Sequence, residues 1–133
     1  MAKTATEKLK SKKEKKKVRM EHDFAGIKAG QLMLVATPQM VDDYIRKIPY
    51  GETRTVVRLR NELARRNRCD ASCPVSTAIF VRISAEAAIE AMEQGADVDD
   101  VTPFWRVIAP DDKVAGKLNV GSDWIRHQRE SER

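Results

Sequence analysis

Residues 37–64, TPQMVDDYIRKIPYGETRTVVRLRNELA, place two helix starts on either side of one tight turn, and the spacing of their apolar residues decides the fold. Thr37 offers a hydroxyl as N-cap, and Pro38 suits the first helical position, where a missing N–H costs nothing. Met40, Val41, Tyr44, Ile45 and Ile48 recur at steps of three and four, which predicts an amphipathic helix with one apolar stripe. Pro49 ends it, and PYGETR reads as a turn. Thr53 or Thr55 then caps a second helix whose inner face is Val56, Val57, Leu59, Leu63 and Ala64. Arg58, Arg60, Arg65 and Arg66 project elsewhere.

Working outward, NRCDAS (67–72) breaks the pattern and Pro74 opens another helix, with Ser72 or Cys73 at the cap. Val75, Ile79, Ile83, Ala87 and Met92 recur along it, and Gly95 stops it. Two helices about a short polar turn outline a helix-turn-helix. Downstream, TPFWRVI (102–108) is a short apolar strand candidate, APDDKVAG (109–116) a turn with a return strand, and SDWIRHQRESE (122–132) a closing helix. A hairpin behind the two helices would be a wing. Upstream, order is expected to begin near Phe24, with an apolar run at Leu32–Val35 after Gly30. The expected fold class is mainly α with a small β element, a winged helix-turn-helix.

A chain of 133 residues with 41% hydrophobic residues supports one core. Its net charge of +5 is unevenly spread. Residues 1–20 hold nine Lys or Arg against Glu7 and Glu14, so the rest is slightly acidic. Residues 1–22 therefore read as a disordered basic tail, either a phosphate-binding arm or a solubilising one, and 23–133 as the domain. Within the domain, Tyr44 to Arg68 is rich in arginine, and Glu86 to Asp112 holds eight acids against one Arg. One basic and one acidic face are expected.

No run nears the roughly 20 apolar residues of a membrane span, and the lysines at the start precede no apolar signal core. A cytoplasmic protein, with nucleoid association as a further expectation, follows. Cys69 and Cys73 match neither a CxxC pair nor a four-ligand zinc set, and His22 and His127 stand apart from other ligands. No metal and no cofactor are expected. Asp99-Asp100 and Asp111-Asp112 read as solvated turn residues. Cys73 is the one candidate nucleophile, because the positive end of a helix favours an anion there, although no His stands beside it in sequence to act as base.

Arginines on the first helix of a helix-turn-helix face phosphates while the second enters a groove. Arg54, Arg58, Arg65 and Arg66 are the phosphate candidates, and Ser76, Thr77 and Arg82 the exposed second-helix candidates, with Phe80 either core or wedge. The expected partner is double-stranded DNA, with RNA or a protein partner as the alternative and no membrane role.

The stretch 37–64 also resembles the opening of the DNA-binding domain of alkylguanine-DNA alkyltransferases (methylated-DNA–protein-cysteine methyltransferases). There a helix, an IPxGxT turn and a helix ending in ELA precede the recognition helix. The matching residues are Ile48, Pro49, Gly51, Thr53 and Glu62-Leu63-Ala64, and PFWRVI (103–108) falls where that family has PCHRV. The resemblance covers roughly 37–110 and implies the winged helix-turn-helix of the alkyltransferase C-terminal domain. Pro103, Arg106 and Val107 are kept, whereas Phe104 and Trp105 replace the acceptor Cys and its His. A phenyl ring cannot take an alkyl group, and indole cannot relay a proton as imidazole does. The position is expected to be vestigial, with Trp105 buried and Phe104 filling the pocket. The family's Tyr after the turn falls near Val56, and the Arg that replaces the flipped base falls near Thr77. The implied activity is therefore non-enzymatic DNA binding, similar to alkyltransferase-like proteins and linked to alkylation-damage recognition. The alternatives are a methyltransferase-like enzyme using Cys73 and an RNA- or protein-binding adaptor.

Overall fold

Thr37 sets the first long helix as its spacing predicts. In the computed structural model, which describes residues 4–133, its hydroxyl accepts the Met40 amide hydrogen at 3.1 Å and starts α2. To number in chain order, the helices are α1 (Ala5–Leu9), α2 (Pro38–Arg46), α3 (Val56–Arg66), α4 (Pro74–Glu93) and α5 (Gly121–Ser131). The strands are β1 (Lys16–Arg19), β2 (Leu32–Val35) and β3 (Ala71–Ser72). The protein is mainly helical with one small sheet.

Between α2 and α3 the chain reverses through Gly51, at φ +83°, a conformation open to glycine at little cost. Thr55, not Thr53, caps α3, accepting from the Arg58 amide at 3.0 Å. Ser72 donates to the Arg60 carbonyl instead of capping, so Cys73 holds the N-cap position of α4 without a side-chain hydrogen bond.

The sheet order is β1-β2-β3, with β1 antiparallel to β2 and β3 parallel to it. β3 feeds directly into α4, so the sheet fixes where that helix starts. Leu34, Val41, Ile45, Ile48, Leu59, Phe104, Ile108 and Ile125 are almost or wholly inaccessible and form one core shared by α2 to α5. No helix among the described residues is long and apolar enough to cross a membrane.

Three expectations are corrected. Residues 4–22 are not a disordered tail; residues 1–3 lie outside the described residues. A capping box between Thr4 and Glu7 starts α1, and Glu90 on α4 accepts from the Ala5 amide (2.8 Å), the Thr6 amide (3.2 Å) and the Thr6 hydroxyl (2.8 Å). β1 is exposed at all four residues and still pairs, because ladder bonds come from the backbone while lysines extend into water. A lysine-rich edge strand is a known guard against unwanted pairing.

The wing is the second correction. TPFWRVI forms no strand: Phe104–Arg106 is a single 3-10 turn, with the Ile108 amide donating to the Phe104 carbonyl at 2.9 Å. Pro103 and Pro110 lack the N–H a ladder needs, and the run is buried on both sides. No strand follows it among the described residues. The third correction is the inner face of α4 and α3. Val75 and Ile79 are 54% and 52% exposed, and Val57 is 53% exposed. A step of four overshoots a helical turn by about 40°, so the row Val75, Ile79, Ile83, Ala87 spirals from solvent into the core. Its buried face is Thr77, Phe80, Val81, Ser84, Ala85 and Ala88.

Deleting residues 1–20 should lower the urea midpoint and cost on the order of 2 kcal/mol or more, through lost packing and lost caps on Glu90. An unchanged midpoint would restore the disordered-arm view.

Candidate nucleic-acid interface

The arginines of the 54–68 stretch divide by how Glu62 treats them. Glu62, on α3, accepts a hydrogen bond from the Tyr44 hydroxyl and one from Arg58 Nε at 2.9 Å, and lies 4.0 Å from both Arg54 Nη1 and Arg66 Nη2. The Tyr44 and Arg58 hydrogen bonds hold its carboxyl down at about 2, against the opposing push of burial. The Tyr44 phenol is pushed up, first by burial and then by its bond to that carboxylate. Arg54 and Arg66 both lie over the Tyr44 ring, at 5.5 and 5.3 Å from its centre.

Arg54 is thus a structural residue, 16% exposed at its side chain, with its amide donating to the Arg106 carbonyl at 2.7 Å. Its expected phosphate role is corrected. Arg58 and Arg66 are more than half exposed and can reach solvent while tethered to Glu62. Arg65 is exposed, as is Arg68, which turns the chain out of α3 at φ +58°. Spacing alone could not separate these roles, since Tyr44 and Glu62 are 18 residues apart.

On α4 the accessible surface at the N-terminal half is Val75, Ala78 and Ile79, with Ser76 and Arg82 half-buried. Thr77 is 1% exposed and donates to the Cys73 carbonyl at 2.7 Å, which removes it from the surface candidates. A threonine bonding back one turn needs no partner outside its helix. Phe80 is core, settling the choice between core and wedge. Arg82 donates to Glu86 at 3.1 Å.

The run at 103–107 is enclosed. Phe104 is wholly buried and Trp105 is 2% exposed; their rings meet edge-on, and Phe104 stacks on Trp124 with ring centres 5.6 Å apart. Glu132, near the end of the chain, gathers this region. It accepts from Trp105 Nε1 (2.7 Å), Arg106 Nε (2.9 Å) and Nη2 (3.0 Å), and the Gly51 amide (3.3 Å). Arg106 Nη1 donates to the Ile48 carbonyl at 2.8 Å. Burial pushes the Glu132 carboxyl up, but hydrogen bonds from Arg106, Trp105 and Gly51 more than offset it and hold it below the ordinary range. Sequence reasoning missed Glu132, because nothing in RESER marks a carboxylate as buried.

A cavity of about 450 Å³ lies beside this region, between Thr53–Val57 and the loop carrying Val107, Ala109 and Asp112–Val114. Phe104 does not line it. Cys73 is 8% exposed and packs with Ile27 and Met33, away from Trp105 in the fold's second, smaller apolar cluster. No group of three or more His, Cys, Asp or Glu able to hold a metal occurs among the described residues. Comparison of the chain with family models, with curated proteins and with solved structures finds no match.

Stability should fall as acid is added, because Glu62 ionises at about 2 in the fold and near 4.5 when unfolded. Between those values the unfolded chain takes up a proton that the folded one refuses, so its contribution is intact above the upper value and lost toward the lower. Urea midpoints across that window should decline in the wild type and less steeply in Glu62→Gln; parallel declines would remove Glu62 from this role.

Proposed function

We propose that this chain is a non-enzymatic DNA-binding protein built on a winged helix-turn-helix of the alkyltransferase C-terminal type, with no hairpin wing after α4 among the described residues. The observation that carries the reading is the cationic outer face of α3. Arg58, Arg65 and Arg66 stand there in solvent, with Arg68 exposed just past the helix end, one short connection away from the accessible N-terminal half of α4. Phosphates would meet α3, and α4 would approach a groove with Val75, Ala78, Ile79 and Arg82.

The enclosed Phe104-Trp105 pair favours binding without alkyl transfer, as in alkyltransferase-like proteins, and alkylation-damage recognition is the biological role this reading carries. A reactive side chain must meet solvent or substrate, and Phe104 meets neither. Transfer to Cys73 is disfavoured because that thiol is buried against Ile27 and Met33.

Binding of a labelled duplex, followed by anisotropy across a salt series, should weaken steeply with salt. Arg65→Gln with Arg68→Gln should make the slope of log K against log salt shallower by about 2, one counterion per lost phosphate contact. A wild-type protein that ignores duplex at low salt sinks the proposal; preference for structured RNA, or for one protein in solution, would replace it with the adaptor reading.

Intact mass after incubation with methylated DNA should be unchanged for the wild type and for Phe104→Cys. A single added alkyl group that disappears in Cys73→Ser would establish an enzyme instead.

A further inference from the structure

The N-terminal segment and α4 enclose a groove of about 630 Å³, lined by Lys8, Ser11 and Lys13 on one side and Pro38, Ile79 and Arg82 on the other. Its floor is aliphatic and its rim cationic; the one acid on the wall, Glu86, is already paired with Arg82. The Ser11 hydroxyl is shielded from water and has no hydrogen-bond partner among the described residues. Ile79, 52% exposed, lies both in this groove and on the accessible face of α4, so the two surfaces are continuous.

The cationic wall is also held rigidly. Glu90 caps α1 through three hydrogen bonds from Ala5 and Thr6, and its carboxyl, which burial pushes up, is held low by them. At the other end of the segment, Lys15 Nζ donates to Asn67 Oδ1 at the end of α3 at 2.8 Å. β1 then follows, paired to β2. Lys8, on α1, and Lys13, on the short connection from α1 to β1, therefore sit on a segment held at both ends, with less backbone entropy to lose on binding.

We propose that this groove is a second phosphate track, in which the sugar–phosphate backbone of duplex DNA seats beside α4. Phosphate oxygens accept from Lys8 and Lys13, and deoxyribose carbons lie on the exposed Ile79. This rests on the DNA-binding reading above and adds to it a built, preorganised flank where the charge pattern alone suggested a loose arm.

The test uses the full chain, because removing the segment would remove part of the fold. Anisotropy of a labelled duplex across a salt series is measured for wild type, Lys8→Gln/Lys13→Gln and Glu90→Ala, with circular dichroism checking the fold. The lysine pair should keep the fold and lose about 2 from the salt slope. Glu90→Ala should keep the slope but bind roughly three- to ten-fold more weakly at each salt, since the loosened segment must be ordered on binding. A wild-type slope in the lysine pair overturns the track and leaves the α3–α4 reading standing. Wild-type affinity in a folded Glu90→Ala overturns the preorganisation. No duplex binding by the wild type overturns the underlying reading itself.

Discussion

A carboxylate out of water must be neutralised by partners, and Glu132 meets that constraint by drawing in two segments far from it and from each other in sequence. The indole of Trp105, the guanidinium of Arg106 and the amide of Gly51 all donate to it. Such a cluster adds little net stability over a well-packed apolar one, yet removing a single member leaves an uncompensated charge. Its effect is therefore geometric. It clamps the 49–54 turn onto the 103–107 run, and the Arg54 amide bond to the Arg106 carbonyl carries that clamp to the start of α3. Gly51 is part of the same constraint, since a Cβ there would come within 3.0 Å of the Glu132 carbonyl oxygen.

Downstream of that clamp, Glu62 shapes the surface. A helix bearing four arginines would repel itself, and one carboxylate among them relieves the repulsion while orienting Arg58 and Arg66. Under the DNA-binding proposal, the tethered guanidinium groups would have less rotamer freedom to give up to a phosphate, which would have to compete with Glu62 for them. Arg65 and Arg68 make no ion pair with Glu62, which makes them the sharper probes of that proposal.

Local signals were legible where a single residue type has one physical use. Thr37, Pro38, Pro49, Gly51, Thr55 and Pro74 each mark a boundary by capping or backbone geometry, and all three central helices start where those residues say. The sheet was less legible: β1 reads as a charged tail because its pairing rests on backbone groups that carry no side-chain signature. On α4, a four-step row does not mark the core face, since each step drifts by about 40° and the three steps from Val75 to Ala87 carry it from solvent into the core. At the candidate interface, the exposed arginines were visible, but the withdrawal of Arg54 and Thr77 was not, because it depends on Tyr44, Glu62 and the Cys73 carbonyl as spatial neighbours.

The fate of the 103–107 run follows from the same packing. Phe104, Trp105 and Trp124 form a closed aromatic group with all ring centres between 5.3 and 5.6 Å apart. Edge-on and offset contacts of this kind add to the apolar area they bury. A thiol placed at Phe104 would enter an apolar, waterless site, where neither a base nor an alkylated ligand could reach it, and would leave a cavity behind. Trp105 is fixed in turn by its bond to Glu132, so an imidazole there would inherit that partner. Opening position 104 to solvent therefore requires moving Trp124 and α5 as well, so the enclosure of the run is a property of the whole aromatic cluster.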